Sequence, residues 1–380
     1  MTYRHMKIGI ITWFTGPNYG TNLQAIALQY YLRNQGHEVN IINYEVPPKE
    51  IKKEKKSLLR KIFYQPQKYI IKVGISRYKS KIAIRDKKLR KSIVSKCILT
   101  PRISTVDDLV RTCNEFDLLI CGSDQIWNPN WYDRFYYADY PGIMTKRISY
   151  APSLGVNSIP HSIALEIKRG LDKFDAISVR EKRGAELLAP YLNNNPSVVV
   201  DPTLLLSSKD WNNIFPSEIE ENSDYVFAFF LNDEKKHLEA AKKFSKVLRC
   251  KMVLVPYKGI TYLQHVDIRA DAGLSEILNL IKGAKYVITD SFHITVFSII
   301  FRKQFYTFQR FKEDEFTSQN VRVKNLLKMV DLTERLVSYH STKIELLGDI
   351  DYQVHTVKLN MEIERSKMFL NKSLKELQIF

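Results

Sequence analysis

Four short stretches of the chain carry side chains that can do chemistry. In Thr289-Asp290-Ser291-Phe292-His293-Ile294-Thr295 an imidazole follows a carboxylate and a hydroxyl, directly after the apolar run Tyr286–Ile288. That order predicts a strand turning into a helix, with His293 in the first helical turn. Imidazole titrates near neutral pH and can move a proton in either direction, although a lone histidine is more often structural. The other seven histidines have no comparable setting. In Ser178-Val179-Arg180-Glu181 a guanidinium stands at a strand end. It can grip a carboxylate or phosphate through two bonds, or serve as a structural partner of Glu181.

The other two stretches are rich in amides and hydroxyls. Gly16-Pro17-Asn18-Tyr19-Gly20-Thr21-Asn22-Leu23-Gln24 joins an apolar strand to a helix. Its glycines allow close backbone approach, and the helix start offers free N–H groups to an anion or a sugar hydroxyl. Thr21 or Asn22 can equally be a plain helix cap. Cys121-Gly122-Ser123-Asp124-Gln125-Ile126-Trp127-Asn128-Pro129 follows a second strongly apolar strand. Ser123, Asp124 and Gln125 beside the Trp127 plane suit a carbohydrate; the alternative is a tight turn with Trp127 in the core. Neither loop reads GxGxxG, and no zinc spacing, calcium loop or phosphate-binding lysine loop occurs, so no metal or nucleotide cofactor is expected.

The elements that must position these groups are α/β. Lys7–Trp13 reads as a strand, 22–34 as a helix closed by Gly36, and Val39–Asn43 as the next strand, a right-handed parallel crossover. Strands are predicted again at 116–121, 146–150, 176–179 and 198–200, with helices over 162–174 and 181–188. A second set follows: strands over 225–231, 252–256, 286–289 and 304–308, the last of these closing the sheet, with helices over 234–248, 274–282 and 293–300. A helical pattern spans 354–377. The expected organisation is an N-terminal Rossmann-like domain over 1–215 and a C-terminal one over 216–335. A helical segment, 336–380, then packs back. Two doubly wound halves with a returning helix is the GT-B arrangement, in which ligands sit between domains at the carboxyl ends of strands.

Composition narrows the setting. The 380 residues carry a net charge of +17 and a hydrophobic fraction of 44%. No apolar run approaches the roughly 18–20 residues of a membrane span, and the N-terminus does not read as a signal peptide. The four cysteines form no CxxC pair, so reduced thiols in a cytoplasmic protein are expected. Between Lys49 and Lys96, 18 Lys or Arg stand against three acids, so this stretch holds +15 of the charge. Residues 49–96 read as a basic helical insertion in the first domain, broken near Pro66. Its interleaved Leu, Ile and Phe suit an anionic membrane surface better than nucleic acid, for which no module is present. A solvated insertion is the plainer alternative.

In order along the chain, Asn18-Tyr19-Gly20-Thr21-Asn22-Leu23-Gln24-Ala25, Gly122-Ser123-Asp124-Gln125-Ile126-Trp127-Asn128, Val179-Arg180-Glu181, Asp201-Pro202-Thr203 and Asp290-Ser291-Phe292-His293 resemble the polysaccharide pyruvyl transferase family. The resemblance runs from about Lys7 to about Leu332. It implies phosphoenolpyruvate as donor and co-substrate, with no other cofactor and no metal. It implies as acceptor a sugar of a cell-surface polysaccharide, often lipid-linked, and a pyruvate ketal as product. Within that scheme Arg180, Ser291 and His293 form the donor site, with Arg180 the anion clamp and His293 the general acid or base. Asn18, Tyr19, Asn22, Gln24, Ser123, Asp124, Gln125 and Trp127 form the acceptor side. Many members resemble Arg-Leu-His where this chain has Ser291-Phe292-His293, so another cation must compensate, with Arg302, Arg310 and Arg322 as candidates. The competing expectations are a GT-B glycosyltransferase using a nucleotide sugar and a basic polyanion-binding protein.

Overall fold

The structure, a computed structural model, describes residues 5–45, 66–216, 223–313 and 319–377. In the first half the elements are β1 (Lys7–Ile11), α1 (Tyr19–Asn34), β2 (Glu38–Ile41), α2 (Pro66–Ser76), α3 (Lys79–Lys96), α4 (Val106–Cys113), β3 (Leu118–Cys121), β4 (Lys146–Ser149), α5 (His161–Leu171), β5 (Ser178–Val179), α6 (Lys182–Leu188), β6 (Ser197–Val198) and α7 (Ser208–Ile214). The second half holds β7 (Ser223–Phe229), α8 (Lys235–Val247), β8 (Lys251–Val255), β9 (Asp267–Ile268), α9 (Leu274–Gly283), β10 (Ala284–Thr289), α10 (Phe292–Ile300), β11 (Gln304–Phe308), α11 (Asn320–Met329), β12 (Leu336–Val337), α12 (Tyr352–His355) and α13 (Val357–Leu377).

Two parallel sheets result, in the orders β2-β1-β3-β4 and β12-β11-β10-β7-β8-β9, with β5 and β6 as a separate pair. The inner strands are buried on both faces because helices cover both sides: β3 is wholly buried, β4 (Lys-Arg-Ile-Ser) is buried apart from the half-buried Lys146, and β10 is buried apart from Lys285. The expected last strand, β11, is followed by one more, where Leu336 and Val337 pair with Thr307 and Phe308. Two residues are too few for an alternation to show in sequence. Helices α4, α7 and α11 and strand β9 do not stand out in the sequence either.

The halves share one core. Leu23 and Ile26 of α1, Trp211 of α7 and Val296 and Phe297 of α10 belong to a single buried cluster. Tyr19 Oη donates to the carbonyl of Ala272 across the divide, at 2.7 Å. Helix α13 returns to the first half, where Ser366 Oγ accepts from the Val200 amide at 2.9 Å. This is the GT-B architecture, and it brings the starts of α1 and α10 face to face.

Part of the basic insertion lies outside the described residues. Helix α2 starts at Pro66, and with α3 it leans on the second half. Ile75, Tyr78 and Ile82 pack against Tyr262, Ile268 and Ala270, Arg85 reaches the Tyr262 hydroxyl, and Lys88 pairs with Glu276. Among the described residues, no helix is long and apolar enough to cross a membrane.

Candidate active site

Asp201 is the centre of the site. It follows β6, caps a 3-10 turn by accepting from the Thr203 amide at 3.0 Å, and is 1% exposed. Its Oδ2 accepts from Arg180 Nη1 at 2.5 Å, and His293 Nε2 stands 3.5 Å from the same oxygen. Burial alone would raise its pKa; the imidazole of His293 and the guanidinium of Arg180 overcome that and hold the carboxyl well below the usual range. Arg180 leaves β5 and is buried too. Burial opposes its charge, but Asp201, Asp124 and Glu181 outweigh burial and keep it firmly protonated.

His293 comes from the other half. Ser291 caps α10, its Oγ accepting from the Ile294 amide at 3.5 Å, and so directs the first turn toward the divide. Opposite lies Gly20, in the first turn of α1. A Cβ there would stand 1.9 Å from His293 Nδ1, so the imidazole has room only because residue 20 has no side chain. The Asp124 carboxylate accepts from Thr21 Oγ1 at 2.6 Å and lies 4.0 Å from Arg180 Nη2. Asp124 has a φ of 63°, and Gly122 before it a φ of 145°. A Cβ on Gly122 would meet the Tyr150 carbonyl at 1.9 Å, so only glycine lets β3 end in this turn.

This set — an imidazole and a guanidinium sharing one carboxylate, with a second carboxylate alongside — has the chemistry to hold an anion and move a proton beside it. The family model described as polysaccharide pyruvyl transferase matches residues 18–310, which includes every one of these groups. The chain belongs to the polysaccharide pyruvyl transferase family. No curated protein matches it. Among solved structures it is similar to a putative UDP-N-acetylglucosamine 2-epimerase from Listeria monocytogenes, with 10% identity, a TM-score of 0.47, and 87% of this chain and 89% of that one covered. It is likewise similar to the glycosyltransferase SnogD from Streptomyces nogalater, with 12% identity, a TM-score of 0.45 and 99% of both chains covered.

The remaining sequence candidates do several different jobs. Asn18 caps α1, its Oδ1 accepting from Gly20 N at 3.1 Å. Asn22 donates to the carbonyls of Gly16 and Asn18. Gln24 donates to Thr12 Oγ1, Trp13 O and Thr21 O and accepts from the Ser123 amide, binding the two loops together. Ser123 Oγ donates to Ala151 O at 2.6 Å. Tyr19 makes a hydrogen bond to Ala272 of the second half, and Ser291 is the cap of α10. Trp127 turns inward, stacked on Tyr137 at 5.0 Å, with its indole N–H donating to Tyr136 O. Gln125 is buried, with its Nε2 unpaired among the described residues. The half-exposed indole is Trp131, 6.0 Å from Trp13. Trp13 lines a cavity of about 360 Å³ with Tyr44, Glu45 and Arg102.

Sequence reasoning left Asp201 out of the site, although Asp201-Pro202-Thr203 is among the family-like motifs. Of the three candidate cations, Arg302 lies beyond the far end of α10, about 13 Å along the axis from His293, and is exposed. Arg310 and Arg322 are drawn toward the site. Both donate to Gln319 Oε1 at 2.6 Å, and Arg322 lines a narrow cavity with Arg180, Glu181, Asp201 and Phe292.

Proposed function

We propose that the chain transfers pyruvate from phosphoenolpyruvate to two hydroxyls of one sugar residue, in a cell-surface polysaccharide or its lipid-linked precursor, forming a pyruvate ketal. The observation that carries this reading is the convergence of Arg180 and His293 on Asp201, inside a chain of the pyruvyl transferase family.

The donor carries a phosphate and a carboxylate on one enol carbon. Its methylene must gain a proton to become methyl, which leaves the attached carbon electrophilic. One sugar hydroxyl adds to that carbon, the C–O bond to phosphate breaks, and the second hydroxyl closes the ring. Of the two hydroxyl protons, one replaces the proton given to the methylene and the other leaves with phosphate as HPO₄²⁻. His293 is the proton carrier in this scheme, and Asp201 holds it in place and balances its charge when protonated. Arg180 holds a donor anion, helped by the start of α10. Asp124 is aligned by Thr21 to accept from a hydroxyl of the acceptor. The Trp13–Trp131 pair beside the Tyr44, Glu45 and Arg102 cavity offers aromatic faces and polar groups to the rest of the glycan.

The test is phosphate release from phosphoenolpyruvate, measured with and without a panel of synthetic and lipid-linked glycans, with the product mass recorded. The expected result is release only with a matching acceptor, whose mass grows by one pyruvate ketal. Sugar transfer from a nucleotide sugar, with phosphoenolpyruvate inert on the same acceptor, overturns the reading.

A further inference from the structure

Arg322 is a buried cation that no ion pair neutralises among the described residues, with Glu181 and Asp124 as the anions whose charge reaches it. Its Nη2 donates to the neutral amide oxygen of Gln319, which Arg310 also uses. Among the described residues its Nε is buried without a hydrogen-bond partner, and so are Nε and Nη2 of Arg180, which stand 4.0 Å from Glu181 Oε2 and Asp124 Oδ1, beyond hydrogen-bond reach. The two guanidinium groups share one aromatic ring: their carbons lie 4.7 Å (Arg180) and 5.9 Å (Arg322) from the centre of Phe292. Phe292 sits between the capping Ser291 and His293, and its ring, 5.2 Å from the imidazole, is the surface both cations share.

Burial lowers the pKa of Arg322 to about 9; the nearby charges of Arg180 and Arg310 push the same way, and those of Glu181 and Asp124 oppose them without making up the loss. A cation whose charged form is disfavoured by the fold destabilises that fold at every pH below its folded pKa, neutral pH included. Burying unpaired N–H donors adds to the cost. An oxyanion between the two guanidinium groups would remove both penalties. A route to them exists: Arg180, Glu181, Asn325 and Met329 line both the narrow cavity and an outer basin of about 530 Å³. Lys182 and Lys328 stand at that basin and give it a potential that draws anions in.

We propose that Arg322 and Arg180 together form a two-guanidinium oxyanion site, built on the Phe292 ring, that takes a carboxylate or phosphate group of the substrate. The site follows from the geometry alone; naming phosphoenolpyruvate as its guest rests on the function proposed above.

The experiment is calorimetric titration of the full-length protein, Arg322→Met and Arg322→Lys with phosphoenolpyruvate, inorganic phosphate and pyruvate separately. Thermal melts of each are recorded with and without the same anions. Phosphoenolpyruvate should bind Arg322→Met about 10- to 100-fold more weakly than the parent, as expected for lost charge-assisted bonds. Arg322→Lys, which keeps the charge but loses the fork, should fall between. Without anions Arg322→Met should melt at or above the parent temperature, because an unpaired buried charge has been removed; a merely structural arginine would lower it. The phosphate and pyruvate arms identify which group Arg322 holds. Parent affinity for phosphoenolpyruvate in both variants overturns the assignment. Phosphate binding that depends on Arg322, with no phosphoenolpyruvate binding, upholds the oxyanion site and removes phosphoenolpyruvate as its guest. Should Arg322→Met fail to fold, the lysine variant decides alone.

Discussion

Asp201 serves Arg180 and His293 through one oxygen, so its removal and the removal of His293 have different consequences. His293→Ala deletes the proposed proton carrier and one of the two cations beside Asp201. Turnover is expected to fall about 10²–10⁴-fold, with some stability lost because the buried imidazole helps hold the carboxylate charged, but less than in Asp201→Asn. Asp201→Asn should lose turnover as well, but it also strands the buried guanidinium of Arg180 and is expected to cost about 3–5 kcal/mol of stability. The two also differ in acid. The folded pKa of Asp201 is depressed, so its contribution is complete above the ordinary carboxylate range and fades as pH falls through about 4 and below. The parent should therefore lose stability on acidification over that window, and Asp201→Asn should lose less. Equal urea midpoints for the two variants, or equal acid sensitivity of parent and Asp201→Asn, would contradict the central place given to this carboxylate.

At the scale of elements, the groups proposed to act stand where a parallel strand ends or a helix begins: Gly20 after β1, Asp124 after β3, Arg180 after β5, Asp201 after β6 and His293 after β10. Those junctions were legible because an apolar run followed by Gly, Ser, Asp or Asn marks a strand end in any α/β chain. What the sequence could not tell was direction. Trp127 and Trp131 are four residues apart in one loop, and only the packing of Tyr137 makes the first inward and leaves the second in solvent. Helix α11 was missed because lysines interrupt its apolar pattern and Gln319 gives it no side-chain cap, yet α11 carries Arg322. Gly20 tests the junction of α1 with α10. In Gly20→Ala the new methyl would overlap the imidazole, so either His293 or the start of α1 must move. A displacement of about 1 Å at a reacting group can cost 10²-fold. Turnover should drop by about that factor while the melting temperature shifts only a few degrees; unchanged turnover would show that His293 does not need its present position.

At the scale of the whole molecule the concentrated charge acquires two faces. The inner face of α2 and α3 joins the halves, through the contacts of Tyr78 and Ile82 with the Tyr262 cluster and the pairing of Lys88 with Glu276. The outer face is exposed and one-sided: Ile84, Lys87, Lys91 and Val94 recur at helical spacing along α3, with Lys72 and Val73 exposed on α2. Cations alternating with aliphatic side chains along one surface are what an anionic bilayer binds reversibly, at about 1 kcal/mol per cation near the headgroups. A lipid-linked acceptor would be presented at that same surface. The protein is therefore expected to co-sediment with vesicles containing phosphatidylglycerol, less so as salt rises, and to ignore neutral vesicles. Lys87→Glu with Lys91→Glu should weaken that binding several-fold while leaving turnover on a small soluble acceptor at the parent rate, since neither lysine reaches the site. A parent that stays in the supernatant with anionic vesicles at low salt would reduce the outer face to a solvated surface, leaving the strut between the halves as the insertion's role.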